Sequence, residues 1–245
     1  MLITLSASFF IKSFSKSMRT IWWKVACAVL LIYTCIQGFL VDLPPQVAYI
    51  NSNLYESMRN FFFHVPMWFS QCVLITVSLV YSIRYLRNPK SEFDLYAQTF
   101  AKTGTVMGSL GLVTGAIWAN YTWGSPWNND PKQLGAAIAL LIYLAYFILR
   151  NSMPDIDKRN RIAAVYNIFA YFIYIPMIFI LPRLVESLHP GGKGSEGNPA
   201  MGGSSLTPSM EAVFWPAVLG WTLLGVWIST LYFRIQLIED KKINS

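Results

Sequence analysis

Long apolar blocks, rather than strict alternation, dominate the hydropathy pattern of this chain. Six stretches stand out, at roughly 21–41, 63–86, 104–122, 134–149, 162–182 and 213–233. A helix rises ~1.5 Å per residue, so about 20 apolar residues cross ~30 Å of hydrocarbon. The pattern therefore predicts an all-α membrane protein with six transmembrane helices. Residues 1–20 precede the first span, 21–233 hold the six-helix domain, and 234–245 form a tail. The fourth block is the shortest and gains length from Gln133–Gly135. Pro176 falls inside the fifth and, lacking an N–H, is expected to kink that helix. Pro66, near the start of the second, is expected in a first helical turn, where its absent N–H would be an orphan anyway. Phe9, Phe10, Ile11 and Phe14 lie among Ser and Lys, so 1–20 reads as an interfacial segment. No small-residue cleavage site follows the first long block, which speaks against a signal peptide. Met18 is a second candidate start.

Charge then orients the helices. Only 13% of residues are charged, against about 25% in soluble domains. Of the 19 Lys and Arg, only Arg59, Lys132, Arg183 and Lys193 fall in the loops 42–62, 120–133 and 183–212. The other 15 share the side of both termini, which the positive-inside rule makes cytoplasmic. Acidic residues split evenly, so the net charge of +7 is a topology signal and not a nucleic-acid footprint. Membrane lipid is the partner this pattern implies. Cys27, Cys35 and Cys72 all sit in apolar blocks with no C-x-x-C or C-x-x-C-H, so they read as small packing residues. That excludes covalent c-type haem attachment within this chain. In the third span Gly104, Gly108, Gly111 and Gly115 share one face, suited to close packing or to a flat ligand.

Candidate chemistry gathers in the three non-cytoplasmic loops. The chain has only two histidines, His64 in Phe63-His64-Val65-Pro66 and His189 in Ser187-Leu188-His189-Pro190, and both fall on this side. Each alone could be a satisfied polar residue, whereas together they could fill both axial positions of a haem iron. Between them runs Trp118-Ala119-Asn120-Tyr121-Thr122-Trp123-Gly124-Ser125-Pro126-Trp127-Asn128-Asn129-Asp130. An interfacial aromatic belt accounts for much of this, but less well for the Gly and Pro that would set indoles at fixed angles. A porphyrin needs aromatic walls and cations for two propionates, for which Arg59, Lys132 and Arg183 are candidates; solvated surface charge is their other reading. The long loop carries Gly191, Gly192, Gly194, Gly197, Gly202 and Gly203 and reads as mobile.

The order of these motifs resembles a known family. Arg59…His64-Val65-Pro66, Leu112-Val113-Thr114-Gly115, Trp123-Gly124…Trp127…Asp130 and Leu188-His189 together resemble the cytochrome c maturation protein C (haem exporter protein C) family, over roughly 20–235. Its members are six-helix haem-handling proteins of the bacterial inner membrane with a tryptophan-rich periplasmic loop. The resemblance implies that His64 and His189 are axial haem ligands. It implies that Trp118, Trp123, Gly124, Trp127 and Asp130 belong to a loop contacting haem or its chaperone. It further implies a non-enzymatic role, in which haem b is held non-covalently and transiently and presented at the periplasmic face. The recipient would be a haem chaperone, cytochrome c maturation protein E. Implied partners are an ABC ATPase, a second membrane subunit and a small helical subunit. No G-x-x-x-x-G-K-[ST] occurs here, so ATP hydrolysis would belong to a partner. The family's loop commonly has further Trp where this chain has Pro126 and Asn129, and Arg where it has Lys132, which keeps the charge but loses the bidentate fork. Related cytochrome c synthases generally have more spans and more embedded His. An ABC-type permease or small-molecule transporter subunit is the alternative from another class, which intramembrane charges would favour.

Overall fold

The computed structural model describes residues 2–44, 52–193 and 206–243, with side chains for 21–44, 55–193 and 206–239. Among these residues every regular element is helical. α1 (Leu2–Leu40) is followed by the short α2 (Ser52–Ser57), a 3₁₀ turn at Met58–Asn60 and α3 (Phe61–Arg87). α4 (Ser91–Trp123) and α5 (Pro131–Asn151) come next. α6 (Ile156–Ile175) runs through a π-helical turn at Pro176–Ile180 into α7 (Leu181–Leu184), and α8 (Pro208–Ile243) follows. Five segments are long and apolar enough to cross a membrane: Ile21–Leu40, Tyr55–Arg87, Pro131–Asn151, Ile156–Leu184 and Pro208–Glu239. The expected span at 104–122 lies in α4, a 33-residue helix whose apolar character is diluted by Thr, Ser and Gly. Residues 2–20 continue α1 as one helix and do not form a separate segment.

α3 is the central helix, packed against α4, α6 and α8. Its antiparallel pairing with α4 is written in the glycine stripe. Gly104 faces Leu74 and Ile75, Gly108 faces Gln71, Gly111 faces Trp68, and Gly115 faces His64. A Cβ at Gly108 would stand 2.4 Å from the Gln71 amide, and one at Gly111 2.9 Å from the Trp68 indole. The groove is thus filled by α3 side chains, which decides for packing over a flat ligand at these positions. On another face of α3, Asn167 of α6 donates from Nδ2 to Ser78 Oγ at 2.7 Å and Ser82 Oγ at 2.8 Å. α1 leans on α8, where the buried Cys27 thiol meets the Gly220 carbonyl at 3.6 Å, consistent with its packing role.

Of the two prolines weighed in the sequence, Pro66 differs from expectation. Pro66 is not in a first turn, because the helix already begins at Phe61. The aromatic run that precedes it is held in a core: Phe62 is fully buried, and Phe61 stacks on Phe214 at 4.8 Å. Burying these rings carries the helix a turn further and draws His64 into α3, so this histidine does not stand in a loop. Pro176 opens a π-helical turn. The Leu181 N–H reaches back five residues to the Pro176 carbonyl, so the missing N–H is absorbed as a widened turn. Gly135 of α5 makes room for that turn, since a Cβ there would lie 2.3 Å from the Met177 carbonyl oxygen.

The end of the bundle away from His64 is tied by ions. Arg150 grips Asp94 in a two-pronged pair, with Nη1 to Oδ1 at 2.8 Å, and Nη2 also reaches Asn160 Oδ1 at 3.3 Å. The two charges are only 3% and 6% exposed, so Arg150 is not the solvated loop charge its place in the topology count implied. The pair joins the first turn of α4, the last of α5 and the first of α6.

Candidate functional site

At the opposite end, α4 must turn sharply into α5. Gly124 caps α4 with φ +78°, a left-handed conformation that suits glycine, and its N–H bonds the Asn120 carbonyl at 3.1 Å. Asp130 then caps α5 by accepting from the Lys132 N–H at 2.9 Å, with Pro131 at the first helical position. Between these caps the loop is laced by its own side chains. Gln133 accepts from the Asn128 N–H at 2.9 Å and donates to the Pro126 carbonyl at 3.2 Å. Asn128 Nδ2 donates to the Ser125 carbonyl at 2.8 Å. Asn129 has φ +53°, which Asn tolerates, and accepts the Trp127 indole N–H at 2.8 Å. The residue that thins the aromatic wall therefore fixes the orientation of an indole that remains.

Asp130 is the hub that joins this loop to the His189 loop. Its Oδ2 accepts from the Leu188 N–H at 2.7 Å and the Ser187 hydroxyl at 2.8 Å. Its Oδ1 takes the His189 Nδ1–H at 2.7 Å. The side chain is 1% exposed. Burial opposes its charge, but the hydrogen bond from His189, with the Ser187 and Leu188 donors, outweighs burial and holds the carboxyl well below the usual carboxylate range. A depressed carboxylate contributes its stabilisation fully above its unfolded value of about 4 and loses it only as pH falls through the folded value. The hub is therefore intact throughout the neutral and mildly acidic range. The Lys132 ammonium adds a further tie by donating to the Pro190 carbonyl. Lys193 N–H closes the loop on the Val185 carbonyl at 2.9 Å. The middle of the Gly-rich stretch, 194–205, lies outside the described residues.

His64 is held differently. Its ring lies on Gly115, where a Cβ would come 2.7 Å from Cε1, and its edge meets Trp68 with centroids 6.3 Å apart. Nδ1 stands 3.1 Å from Thr114 Oγ1. That hydroxyl spends its own proton on the Leu110 carbonyl at 2.8 Å, shared with Gly111 at 3.1 Å, so it serves His64 as acceptor. Both imidazoles consequently carry the proton on Nδ1 and leave the Nε2 lone pair for a ligand. His64 lies within electrostatic reach of His189 and Lys132. Trp123 meets the His189 ring edge-on at 4.7 Å, and Trp118 lies 6.2 Å from it and 5.0 Å from Trp123.

The structure thus brings His64, His189, Asp130, Lys132, Trp118 and Trp123 together. Trp127 is 40% exposed on the loop surface. Arg183 lies in α7 within electrostatic reach of Lys132. Arg59 is tied to the Val41 carbonyl and Glu56, both at 3.1 Å, at the α1–α2 corner. Thr114, Ser187 and Gln133 support these residues through hydrogen bonds, a part that the sequence reading, which named all three, did not give them. Each is an ordinary polar residue whose partner is set only by the fold. Replacing Gly115 with alanine is expected to displace the His64 ring from its seat and, with His64 as the haem ligand the resemblance implies, to lower haem affinity about 10-fold; haem titration of the purified variant measures this.

Among the described residues the chain is all-helical, with five segments long and apolar enough to cross a membrane, and one end of it carries His64, His189, Trp118, Trp123 and Lys132. Its sequence matches the profile of the cytochrome C assembly protein family over residues 1–189, and the chain belongs to that family. Heme exporter protein C of Bradyrhizobium diazoefficiens is 28% identical over 188 residues, covering 76% of this chain and 68% of the relative. Heme exporter protein C of Haemophilus influenzae is 24% identical over 193 residues, covering 76% and 73%. A cytochrome c biogenesis protein CcsA of Prochlorococcus marinus is 39% identical over 90 residues, but this chain spans only 29% of its length.

Proposed function

We propose that this protein is a haem-binding membrane subunit of cytochrome c biogenesis that presents haem at the periplasmic face of the bacterial inner membrane and passes it to a haem chaperone. The observation that carries the reading is the paired Nδ1 anchoring of His64 and His189, which leaves two Nε2 atoms for one iron. The residues present fit the cargo: imidazoles for the iron, Trp118 and Trp123 for the ring, and Lys132 with Arg183 as cations for propionates. Exposed Trp127, Tyr121, Leu184 and Leu188 offer an apolar rim to the incoming chaperone. Asp130 orients His189 and does not face the propionates, which a carboxylate would repel.

In this reading α4 is the sixth span, because its stretch 104–115 runs antiparallel to 64–75 of α3 and must share the same depth. Both termini are then cytoplasmic, and the site is periplasmic. The protein works without catalysis of its own, in an ABC-type complex whose ATPase, second membrane subunit and small helical subunit are separate chains. A transporter path would need charges facing a cavity. The buried pair Asp94 and Arg150 instead satisfies itself, away from the histidines. The hand-off is tested by mixing the haem-loaded protein with the chaperone's soluble periplasmic domain and following the Soret band through size-exclusion chromatography. Haem is expected to move to the chaperone fraction; haem retained entirely by this protein contradicts the proposal.

A further inference from the structure

The two histidines share a tautomer but not a partner. His189 Nδ1–H is held at 2.7 Å by a carboxylate whose side chain is 1% exposed, whereas His64 Nδ1–H is held at 3.1 Å by a neutral hydroxyl. A charged acceptor makes a hydrogen bond roughly twice as strong as a neutral one. It draws the Nδ1 proton further away and leaves more electron density on Nε2, which strengthens the ligand bond to a cation. Partners of this kind are worth about 10–100-fold in metal affinity. The carboxylate is also immobile, because Lys132 N–H, Ser187 Oγ and Leu188 N–H hold its two oxygens. Thr114 Oγ1, by contrast, already donates to its own helix, and with the Gly111 backbone it gives His64 only neutral partners.

Resting on the haem-binding reading above, we infer that the two ligands are unequal: His189, backed by Asp130, anchors the iron, and His64, backed by Thr114, is the ligand that lets go at hand-off. Asp130 is a positioning residue in this scheme. It places the strong ligand under control of the tryptophan loop, since the same carboxylate caps α5 and binds the His189 loop. A chaperone touching the exposed loop therefore meets haem that is still fixed by His189 and already free to open on the His64 side.

The test uses full-length protein loaded with haemin, with folding of every variant checked by its melting transition. The His64→Gly variant is expected to keep most of its haem as a five-coordinate species, and the His189→Gly variant to keep at least ~10-fold less, restored by added imidazole. Asp130→Asn removes the charge while one oxygen still caps α5 and accepts from His189, and its amide nitrogen gives up the Leu188 N–H bond. In the His64→Gly background it is expected to weaken haem binding ~10–100-fold, with Asp130→Glu recovering part of the loss. Thr114→Val in the His189→Gly background is expected to do less. In the otherwise wild-type protein, Asp130→Asn raises the haem midpoint potential, and Thr114→Val moves it less. Equal retention by the two glycine variants, or greater retention by His189→Gly, overturns the ordering while the haem reading stands. A wild-type protein without a bis-histidine spectrum overturns both.

Discussion

Purified as the His64→Ala/His189→Ala double variant, the protein is expected to lose its haem absorbance, with haem affinity falling at least ~100-fold. The fold should survive this change. Removing His64 leaves Thr114 bonded to its own helix carbonyls, and removing His189 leaves Asp130 with the Lys132 and Leu188 N–H groups and the Ser187 hydroxyl. Neither substitution strands a buried polar group, so the loss would belong to the iron ligands and not to the bundle. Indoles and cations alone can hold a porphyrin only loosely, without an orienting bond to its metal. Unchanged absorbance in the folded double variant would mean that the imidazoles are structural.

The second large effect is expected at the other end of the molecule. Arg150→Ala leaves the Asp94 carboxylate buried without its partner, an arrangement that costs about 3–5 kcal/mol. The apparent melting temperature in detergent should fall accordingly. Arg150→Met combined with Asp94→Leu should recover most of the loss, because two apolar side chains need no pairing. Haem binding per folded molecule should not change in either variant, since the pair is remote from Asp130. A single variant as stable as wild type would contradict the burial of the pair.

Much of this architecture was legible in the sequence because hydrocarbon leaves few choices. Apolar blocks must be helices, and four glycines on one face must receive a neighbour, as they receive Ile75, Gln71, Trp68 and His64. The two histidines and the Trp-Gly loop were likewise visible, since rare residue types on one side of a membrane are conspicuous. The supports were not. Thr114 and Ser187 acquire meaning only from partners 50 and 57 residues away. Arg150 counted as a positive loop charge, and only the packing of three helix ends around it shows that it is internal. Asn129 looked like a gap in an aromatic wall, yet its backbone turn and its bond to Trp127 fix the orientation of that exposed indole. Pro66 misled for a simpler reason: the aromatic core around Phe62 starts α3 earlier than hydropathy alone indicates.

Joint ligation of one haem by His64 and His189 is tested most directly by the absorption spectrum of the detergent-purified wild-type protein, oxidised and then reduced with dithionite. Two Nε2 ligands on one iron predict a low-spin, six-coordinate, bis-imidazole b-type spectrum in both states. A colourless protein that does not take up added haemin, or a bound haem whose spectrum is the same in the His64→Ala/His189→Ala variant, would contradict it.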